Sequence, residues 1–158
     1  PVYHGSFSMK GLLMNITPKY YNNFSCIKGE CKHSCCIGWE IDIDPKTAEL
    51  YKKVGGNFGL RLRNSIEFGD QPHFVLGENE RCPFLNSQNL CDIIINLGED
   101  CLCGICADHP RFKNELPDRV EVGLGLCCEE AARIILTADS FGEVVEIEKD
   151  SMQEIFLR

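Results

Sequence analysis

Two stretches of the chain alternate apolar residues with polar ones, which is the pattern of a strand with one buried face. Residues 40–44 alternate acids with isoleucines, and residues 119–126 alternate valine or leucine with other residues. We predict a strand in each place, and a third over residues 73–76, which Gly77 closes. Residues 90–97 are apolar enough for either a short helix or a strand, and the pattern leaves both open.

The helical signals are also short. Asp44 followed by Pro45 is typical of a helix start, with aspartate as the cap and proline in the first turn. We therefore predict a helix over 47–54, ended by two glycines, and a second short helix over 60–68. Residues 128–138 give the clearest helical pattern of the chain. Its inward face is expected to carry Ala131, Ala132, Ile135 and Leu136.

Together these elements predict an α+β fold, a small irregular domain of short helices and short strands. Because no element is long, we expect cysteine–metal sites to staple the domain, which is predicted to span residues 15–140. Residues 1–14 are expected to be a tag or a disordered arm. Residues 141–158 are expected to be an acidic tail or the start of missing sequence. The segment 26–39 is predicted to be a loop with at most one helical turn.

Charge and apolar content narrow the classes of partner. The chain has 158 residues and a formal net charge of −8, and its basic residues are scattered among acids. This argues against nucleic acid, because phosphates are neutralised by clustered lysines and arginines. No apolar run approaches the roughly 20 residues that a membrane helix needs. No secretion signal is visible, so we expect a cytoplasmic protein that does not bind membranes.

Eleven cysteines dominate the composition. They are Cys26, Cys31, Cys35, Cys36, Cys82, Cys91, Cys101, Cys103, Cys106, Cys127 and Cys128. In a secreted chain this density predicts a disulfide scaffold, which we keep as the third hypothesis. However, the number is odd, and several cysteines are adjacent or two to three residues apart, so that they cannot bond to each other without strain. In a reducing cytoplasm such groupings indicate metal.

The cysteines fall into three blocks, 26–36, 82–106 and 127–128. Zinc and iron–sulfur sites each take four ligands, mostly thiolates. No block alone has the spacing of a zinc finger or of a bacterial ferredoxin, so the ligands must come from separate blocks, and metal binding should be coupled to folding. Any single cysteine could instead be a buried apolar side chain. His33 and His109, in or beside the blocks, are weaker candidate ligands.

A longer pattern combines the cysteines with their neighbours. It consists of Phe24-Ser25-Cys26, Cys31, Ser34-Cys35-Cys36-Ile37-Gly38-Trp39, Arg81-Cys82-Pro83-Phe84-Leu85, Leu90-Cys91, Leu97-Gly98-Glu99, Cys103, Cys106, His109-Pro110-Arg111, Cys128 and Glu130-Ala131-Ala132-Arg133. In order and spacing, from about Ile16 to Ala138, this pattern resembles the flagellin lysine-N-methylase family. That family belongs with the cysteine-cluster domains described as zinc- or iron-chelating.

The resemblance implies a metal centre with a defined set of ligands. The shared cysteines map to Cys26, Cys31, Cys35, Cys36, Cys82, Cys91, Cys106 and Cys128, with Cys103 frequent. It further implies an iron–sulfur cluster of the 4Fe-4S type, or zinc, and methyl transfer from S-adenosylmethionine to lysine side chains of flagellin or another lysine-bearing protein. Cys101 and Cys127 are then extra cysteines.

The chain also departs from that family. Family methylases are longer, and their second half has no counterpart here, so we expect either part of a longer protein or a short relative that carries only the cluster domain. No glycine-rich strand-to-helix turn of the Rossmann type is present. The motifs therefore identify neither the methyl-donor site nor the catalytic residues of such a reaction. The alternative function is a non-catalytic module that chelates zinc or iron.

A few other side chains are candidates for roles near the metal. Trp39, the only tryptophan, is expected to be a core aromatic, with a lid over the metal as the alternative. Arg111 could donate to a cluster sulfide or to the carboxylate of a bound ligand, or it could pair with Asp108 at the surface. A candidate acidic rim for a lysine-bearing substrate consists of Asp42, Asp44, Glu129 and Glu130, although most acidic faces are simply solvated.

Overall fold

The structure is a computed structural model that describes residues 14–147, and this range contains a four-stranded sheet, a two-stranded hairpin and five α-helices. The strands are β1 (Met14–Pro18), β2 (Ile66–Glu67), β3 (His73–Phe74), β4 (Arg111–Glu115), β5 (Arg119–Leu124) and β6 (Val144–Ile147). The helices are α1 (Pro45–Lys53), α2 (Gly56–Asn64), α3 (Asp92–Leu97), α4 (Gly104–Asp108) and α5 (Glu129–Thr137). The predicted α+β class of short elements is confirmed. The expected N-terminal arm lies outside the described residues except for Met14, which begins β1.

The four-stranded sheet joins the two ends of the described chain. Its strand order is β4-β5-β1-β6, with β1 parallel to β5 and antiparallel to β6. The buried hydroxyl of Thr17 donates to the carbonyl of Val122 at 3.1 Å, which links two residues 105 positions apart. The alternation over 119–126 is confirmed as strand β5. Strand β6 lies within the expected acidic tail and is part of this sheet.

Helix α5 packs on one face of the sheet and forms a small apolar core with it. Ala131 and Ile135 are buried against Val120 and Val122, as the helical pattern predicts. Leu136, also expected to face inward, is 77% exposed, and Ile134 is buried instead. The reason is helical geometry, because Leu136 lies a further 100° around the helix from Ile135, away from the face that Ala131 defines.

A larger core lies between α1, α2, the β2–β3 hairpin and the cysteine-bearing loops. Its largest fully buried side chains are Tyr51, Phe74 and Phe84. Ile41 and Ile43 are both buried in it, so the predicted apolar face of residues 40–44 is confirmed. The predicted strand there is wrong, since this segment makes only an isolated bridge from Asp42 to His73.

The first helix begins where the sequence places it. The carboxylate of Asp44 accepts a hydrogen bond from the amide of Thr47 at 2.9 Å and caps α1. Its second oxygen accepts from the amide of Gly104 at 3.0 Å, which ties α1 to α4 in the second cysteine block. Burial alone raises the pKa of Asp44, but these hydrogen bonds outweigh it and lower the pKa. Asp44 therefore has a structural role, in contrast to the place in an acidic rim that the sequence suggested for it.

The predicted helix over 60–68 is displaced toward the N-terminus. Helix α2 ends at Asn64, and Ile66 instead pairs with Phe74 in the β2–β3 hairpin. Pairing places Ile66 in the larger core, where it is buried. Of the predicted strand 73–76 only His73–Phe74 is paired.

The ambiguous segment 90–97 is helical. It forms α3, and Gly98 ends the helix with a φ of +95°, which a residue with a side chain adopts only with strain. Strand β4 has no counterpart in the sequence pattern, because all but its first residue are exposed. Within residues 14–147, no helix combines the length and apolar character needed to cross a bilayer.

Candidate metal centre

The first two cysteine blocks meet through backbone contacts. The first block is a loop with one 3-10 turn (Lys28–Glu30), as the sequence predicts. It is joined to the second block by the amide of Cys82, which donates to the carbonyl of Cys36 at 2.8 Å. The amide of Gly38 donates to the carbonyl of Glu80 at 3.1 Å beside it. Folding thus brings together cysteines that are more than 40 residues apart.

One group of thiols lies at the start of α5, and we name it the α5 thiol group. It consists of Cys26, Cys31, Cys35 and Cys128. Burial raises the pKa of Cys31 to about 11, and the charges of Cys128, Cys26, Glu129 and Cys35 raise it further. Burial also raises the pKa of Cys128, with contributions from Cys26 and Cys35. Thiols that raise each other's pKa in this way share one small region of the molecule.

A second group, which we name the core thiol group, borders the larger core. It consists of Cys36, Cys82, Cys91, Cys103 and Cys106. Burial raises the pKa of Cys82 to about 11, with Cys91 and Cys103 adding to it. Hydrogen bonding from the Cys106 thiol lowers the pKa of Cys103 and raises that of Cys106. Cys82 and Cys103 are buried, and the other three are partly buried.

Cys35 and Cys36 connect the two groups. Hydrogen bonding from the Cys35 thiol toward Cys36 lowers the pKa of Cys36 and raises that of Cys35. The charge of Cys35 also acts on Cys91 in the core thiol group. The two thiols therefore contact each other, and through them the α5 thiol group adjoins the core thiol group. This division could not be read from the sequence.

The two cysteines expected to be extra differ in their surroundings. Cys127 is exposed, and its neighbour Cys128 belongs to the α5 thiol group. Cys101 packs against the larger core, and its carbonyl accepts a hydrogen bond from the hydroxyl of Tyr51 at 2.7 Å. All eleven cysteines lie within the described residues and are free thiols.

The donor chemistry of both groups suits thiophilic ions. Each offers at least four sulfur ligands, the number that zinc and iron–sulfur clusters take. At their present separations, no set of three or more His, Cys, Asp or Glu side chains within residues 14–147 is arranged to hold a metal ion. Bonds of about 2.3 Å from sulfur to metal require the thiols of a group to draw together.

Glu129, at the start of α5, holds the first cysteine loop. Its carboxylate accepts the backbone amides of Lys32 and His33 at 2.8 and 2.9 Å. These two amides lie directly after Cys31, so the contact fixes the loop next to Cys128. The sequence suggested only a rim role for Glu129, and no local signal indicates a partner 97 residues away. His33 itself is exposed.

Replacing Glu129 with alanine is expected to free both amides and to lower the free energy of unfolding by about 1–2 kcal/mol, because each is a charge-assisted hydrogen bond at a partly solvated site. Amide hydrogen exchange of Lys32 and His33 should accelerate. Glu129→Gln keeps a carbonyl acceptor and serves as the matched control with a smaller effect. Unchanged exchange at both amides in Glu129→Ala would contradict this role.

Trp39 lies beside the thiols and against the larger core. Its indole nitrogen donates to the carbonyl of Cys35 at 2.6 Å, and its ring packs against the larger core. The ring centroid of His109 is 5.9 Å away. The expectation of a core aromatic is confirmed, and the same side chain also fixes the backbone at Cys35. The Nε2 atom of His109 is buried and has no hydrogen-bond partner among the described residues.

The contacts of Arg111 differ from the surface ion pair with Asp108 that the sequence suggested as one alternative. Its guanidinium lies over the ring of Phe24, with Cζ 5.3 Å from the ring centroid. Within residues 14–147 it forms no ion pair with Asp108. By contrast, Arg133 is held by Glu130 at 2.6 Å, as the helical spacing predicts.

Known proteins resemble this chain at low identity. The flagellar biosynthetic protein FliU of Salmonella muenchen is 29% identical over 129 residues, which cover 75% of each chain. The lysine-N-methylases of Salmonella choleraesuis (strain SC-B67) and Salmonella typhimurium (strain LT2) are 28% identical over 129 residues. The chain is a distant relative of these proteins. The matched region is 75% of this chain but 31% of each lysine-N-methylase, so the chain spans about a third of their length.

The relatives support the resemblance to a flagellin methylase-like family that the cysteine pattern indicated. No protein-family model matches the chain, and no solved structure matches it. The relatives' names concern flagellar biosynthesis and lysine methylation, which are statements about those proteins.

Proposed function

We propose that this chain is the metal-binding cysteine-cluster domain of a lysine-N-methylase-like protein, with an iron–sulfur cluster as its principal cofactor. The observation that carries the proposal is the gathering of nine cysteines from three separated blocks into two adjacent thiol groups. Cytoplasmic thiols arranged in this way are typical of metal sites. The relatives named lysine-N-methylase support the family context.

The proposed metal ligands fall into the two thiol groups. Cys26, Cys31, Cys35 and Cys128 of the α5 thiol group would hold one metal site. Cys36, Cys82, Cys91 and Cys106 would hold the other, with Cys103 as a further donor. A 4Fe-4S cluster would supply one-electron chemistry, and zinc would supply structural cross-linking. The protein contributes the burial of the core thiol group, which keeps water from that site.

The wider activity of the protein is proposed from its relatives. We place this domain in the cytoplasm, within a system that transfers methyl groups from S-adenosylmethionine to lysine side chains of flagellin or of another lysine-bearing protein. The chain covers 31% of the lysine-N-methylases it matches, so residues beyond this chain would take part in catalysis.

Metal and acid-labile sulfide analysis of anaerobically purified protein tests the proposal. We expect bound iron with matching sulfide, and loss of about half of the metal when Cys31 or Cys82 is replaced by serine, since each replacement removes a ligand of one group only. Cys127→Ser is the matched control, because it replaces an exposed cysteine next to a proposed ligand. It should retain the full metal content.

Three results would overturn the proposal. They are purified protein without metal, equal metal loss in Cys127→Ser and Cys128→Ser, and full metal retention in both Cys31→Ser and Cys82→Ser. Zinc without sulfide would instead support the structural zinc form of the same sites. Because oxygen can destroy iron–sulfur clusters and leave thiols open to zinc, the comparison requires anaerobic handling.

A second function is favoured by one comparison. FliU matches this chain over 75% of its own length, so a relative of similar size exists without the additional length of the lysine-N-methylases. That relationship supports a non-catalytic module that chelates zinc or iron. Binding of S-adenosylmethionine, measured by calorimetry on the metal-loaded chain, separates the two functions, since a chelating module has no use for a methyl donor.

A further inference from the structure

The second cysteine block ends in the sequence Cys103-Gly104-Ile105-Cys106, in which two residues separate two thiols. This C-x-x-C spacing is typical of thiol pairs that are oxidised reversibly to a disulfide. No other two of the eleven cysteines have this spacing. All eleven are free thiols in the structure, so this pair is present in its reduced form.

The first turn of α4 brings the two side chains together. Cys103 immediately precedes α4, and its carbonyl accepts the backbone amides of Cys106 and Ala107 at 3.0 and 2.9 Å. The Cys106 thiol donates a hydrogen bond to the sulfur of Cys103. Two sulfurs in contact across one helical turn can bond to each other with little movement of the backbone.

The two side chains differ in their exposure to solvent. Cys103 is 0% exposed, whereas Cys106 is only partly buried. A small oxidant that arrives from solvent therefore meets Cys106 first, and Cys103 lies behind it as a second thiol. Redox-sensitive cysteines are often arranged in this way, with an accessible sulfur next to the thiol that resolves its oxidised form.

The core thiol group also has one sulfur more than a four-ligand metal site uses. Its members are Cys36, Cys82, Cys91, Cys103 and Cys106. In the site proposed above, Cys106 is a ligand and Cys103 is the further donor. A disulfide between these two would take one ligand from the metal by means of a thiol that the site can spare.

We propose that Cys103 and Cys106 form a reversible disulfide when a peroxide oxidises the protein, and that this bond releases the metal of the core thiol group. The release of metal rests on the proposed function, whereas the disulfide itself does not. As a ligand, Cys106 would be a thiolate, the nucleophilic form of cysteine.

The oxidation has two steps. The Cys106 thiolate attacks one oxygen of hydrogen peroxide, the O–O bond breaks, and Cys106 becomes a sulfenic acid while hydroxide leaves. The Cys103 thiol then attacks the Cys106 sulfur, the S–S bond forms, and the hydroxyl group leaves as water with the proton of Cys103. The two sulfurs together lose two electrons, which reduce one peroxide to water and hydroxide.

One equivalent of hydrogen peroxide, added to the zinc-loaded chain, tests the proposal, because zinc has no redox chemistry of its own. We expect release of about half of the bound zinc, since only the core thiol group loses a ligand. Alkylation of the same sample after denaturation should label Cys101 but neither Cys103 nor Cys106, and their peptide should be lighter by two hydrogens. A thiol reductant should restore both thiols and zinc binding.

Two serine variants separate the roles of neighbouring cysteines. Cys101→Ser is the matched control, because Cys101 lies in the same segment, is partly buried and belongs to neither thiol group. It should form the disulfide and release zinc as the wild type does. Cys103→Ser removes the resolving thiol, so the disulfide should be lost and dimedone should capture the sulfenic acid of Cys106.

Several results would overturn the proposal. They are a disulfide that joins either cysteine to Cys101, free thiols at both Cys103 and Cys106 after zinc has left, and equal capture of sulfenic acid in wild type and Cys103→Ser. The Cys103–Cys106 disulfide without release of zinc would refute the second part alone.

Failure of the metal proposal gives a different result. The wild-type chain would then hold no zinc before peroxide is added, while the alkylation pattern would still show whether Cys103 and Cys106 are joined. If Cys103→Ser loses its zinc before oxidation, the alkylation pattern of the wild type alone decides.

Discussion

Removing bound metal from the fully reduced protein is expected to abolish its cooperative thermal unfolding. Structural metal ions in small thiolate sites contribute about 10–16 kcal/mol, whereas whole domains are stable by only about 5–15 kcal/mol. The first cysteine loop has one 3-10 turn and is joined to the rest by few backbone hydrogen bonds, such as that between Cys82 and Cys36. Without metal, little remains to offset the entropy of ordering this loop.

Differential scanning calorimetry with and without a chelator, under a strong reductant, measures this effect. The Cys127→Ser variant should behave like wild type in both conditions, because Cys127 is outside both thiol groups. A variant that has already lost its metal should show no further change with chelator. Reduced, metal-free protein that keeps the wild-type melting transition would refute the coupling of metal binding to folding.

Replacing Phe84 with alanine is expected to lower the free energy of unfolding by about 3–5 kcal/mol. Phe84 is fully buried, and its ring lies 5.1 Å from that of Phe74 and 5.9 Å from that of Phe58, both in edge-to-face geometry. The guanidinium of Arg61 lies 5.1 Å from the ring on another side. Removal of the ring therefore leaves a cavity with walls that belong to several elements.

Urea unfolding of the metal-loaded protein measures the loss. Phe112→Ala is the matched control, since that ring is 46% exposed on β4 and its removal should cost less than about 1 kcal/mol. Equal losses in the two variants would contradict the assignment of Phe84 to the centre of the larger core. Because Phe84 lies two residues after Cys82, metal content should be measured for both variants as well.

Local chemistry made several features predictable from the sequence. The cap at Asp44 and the helix that follows need only neighbouring residues, and both were correct. The buried face of Ile41 and Ile43 was also correct, since alternation reports which side of a segment is apolar. It does not report whether a partner strand is present, and for residues 40–44 only one bridge forms.

The elements that depend on pairing between distant residues could not be predicted from the sequence. Strand β4 is mostly exposed, so its residues carry no alternating pattern, and its place depends on pairing with β5. The predicted helix over 60–68 ends instead at Asn64, because Ile66, a β-branched residue that favours strands, pairs with Phe74.

The candidate site shows the same contrast between features set by local sequence and features set by long-range contacts. The sequence identified the cysteines as a set, and their assignment as metal ligands stays a prediction. It could not divide them into two groups, because the division depends on how distant blocks fold together, and it separates Cys35 from its neighbour Cys36. Nor could it connect Glu129 with Lys32, or Tyr21 with Arg111, since contacts at such separations leave no trace in the local pattern.

The pairing of β1 with β5 has a consequence for the order of events during synthesis. Strand β1 leaves the ribosome about 100 residues before its parallel partner, which at about 5–20 residues per second is a delay of roughly 5–20 s. All cysteines up to Cys106 emerge within that interval, while β1 still lacks its neighbour. The five thiols of the core thiol group have therefore all been synthesised before the sheet closes, whereas the α5 thiol group still lacks Cys128, which follows β5.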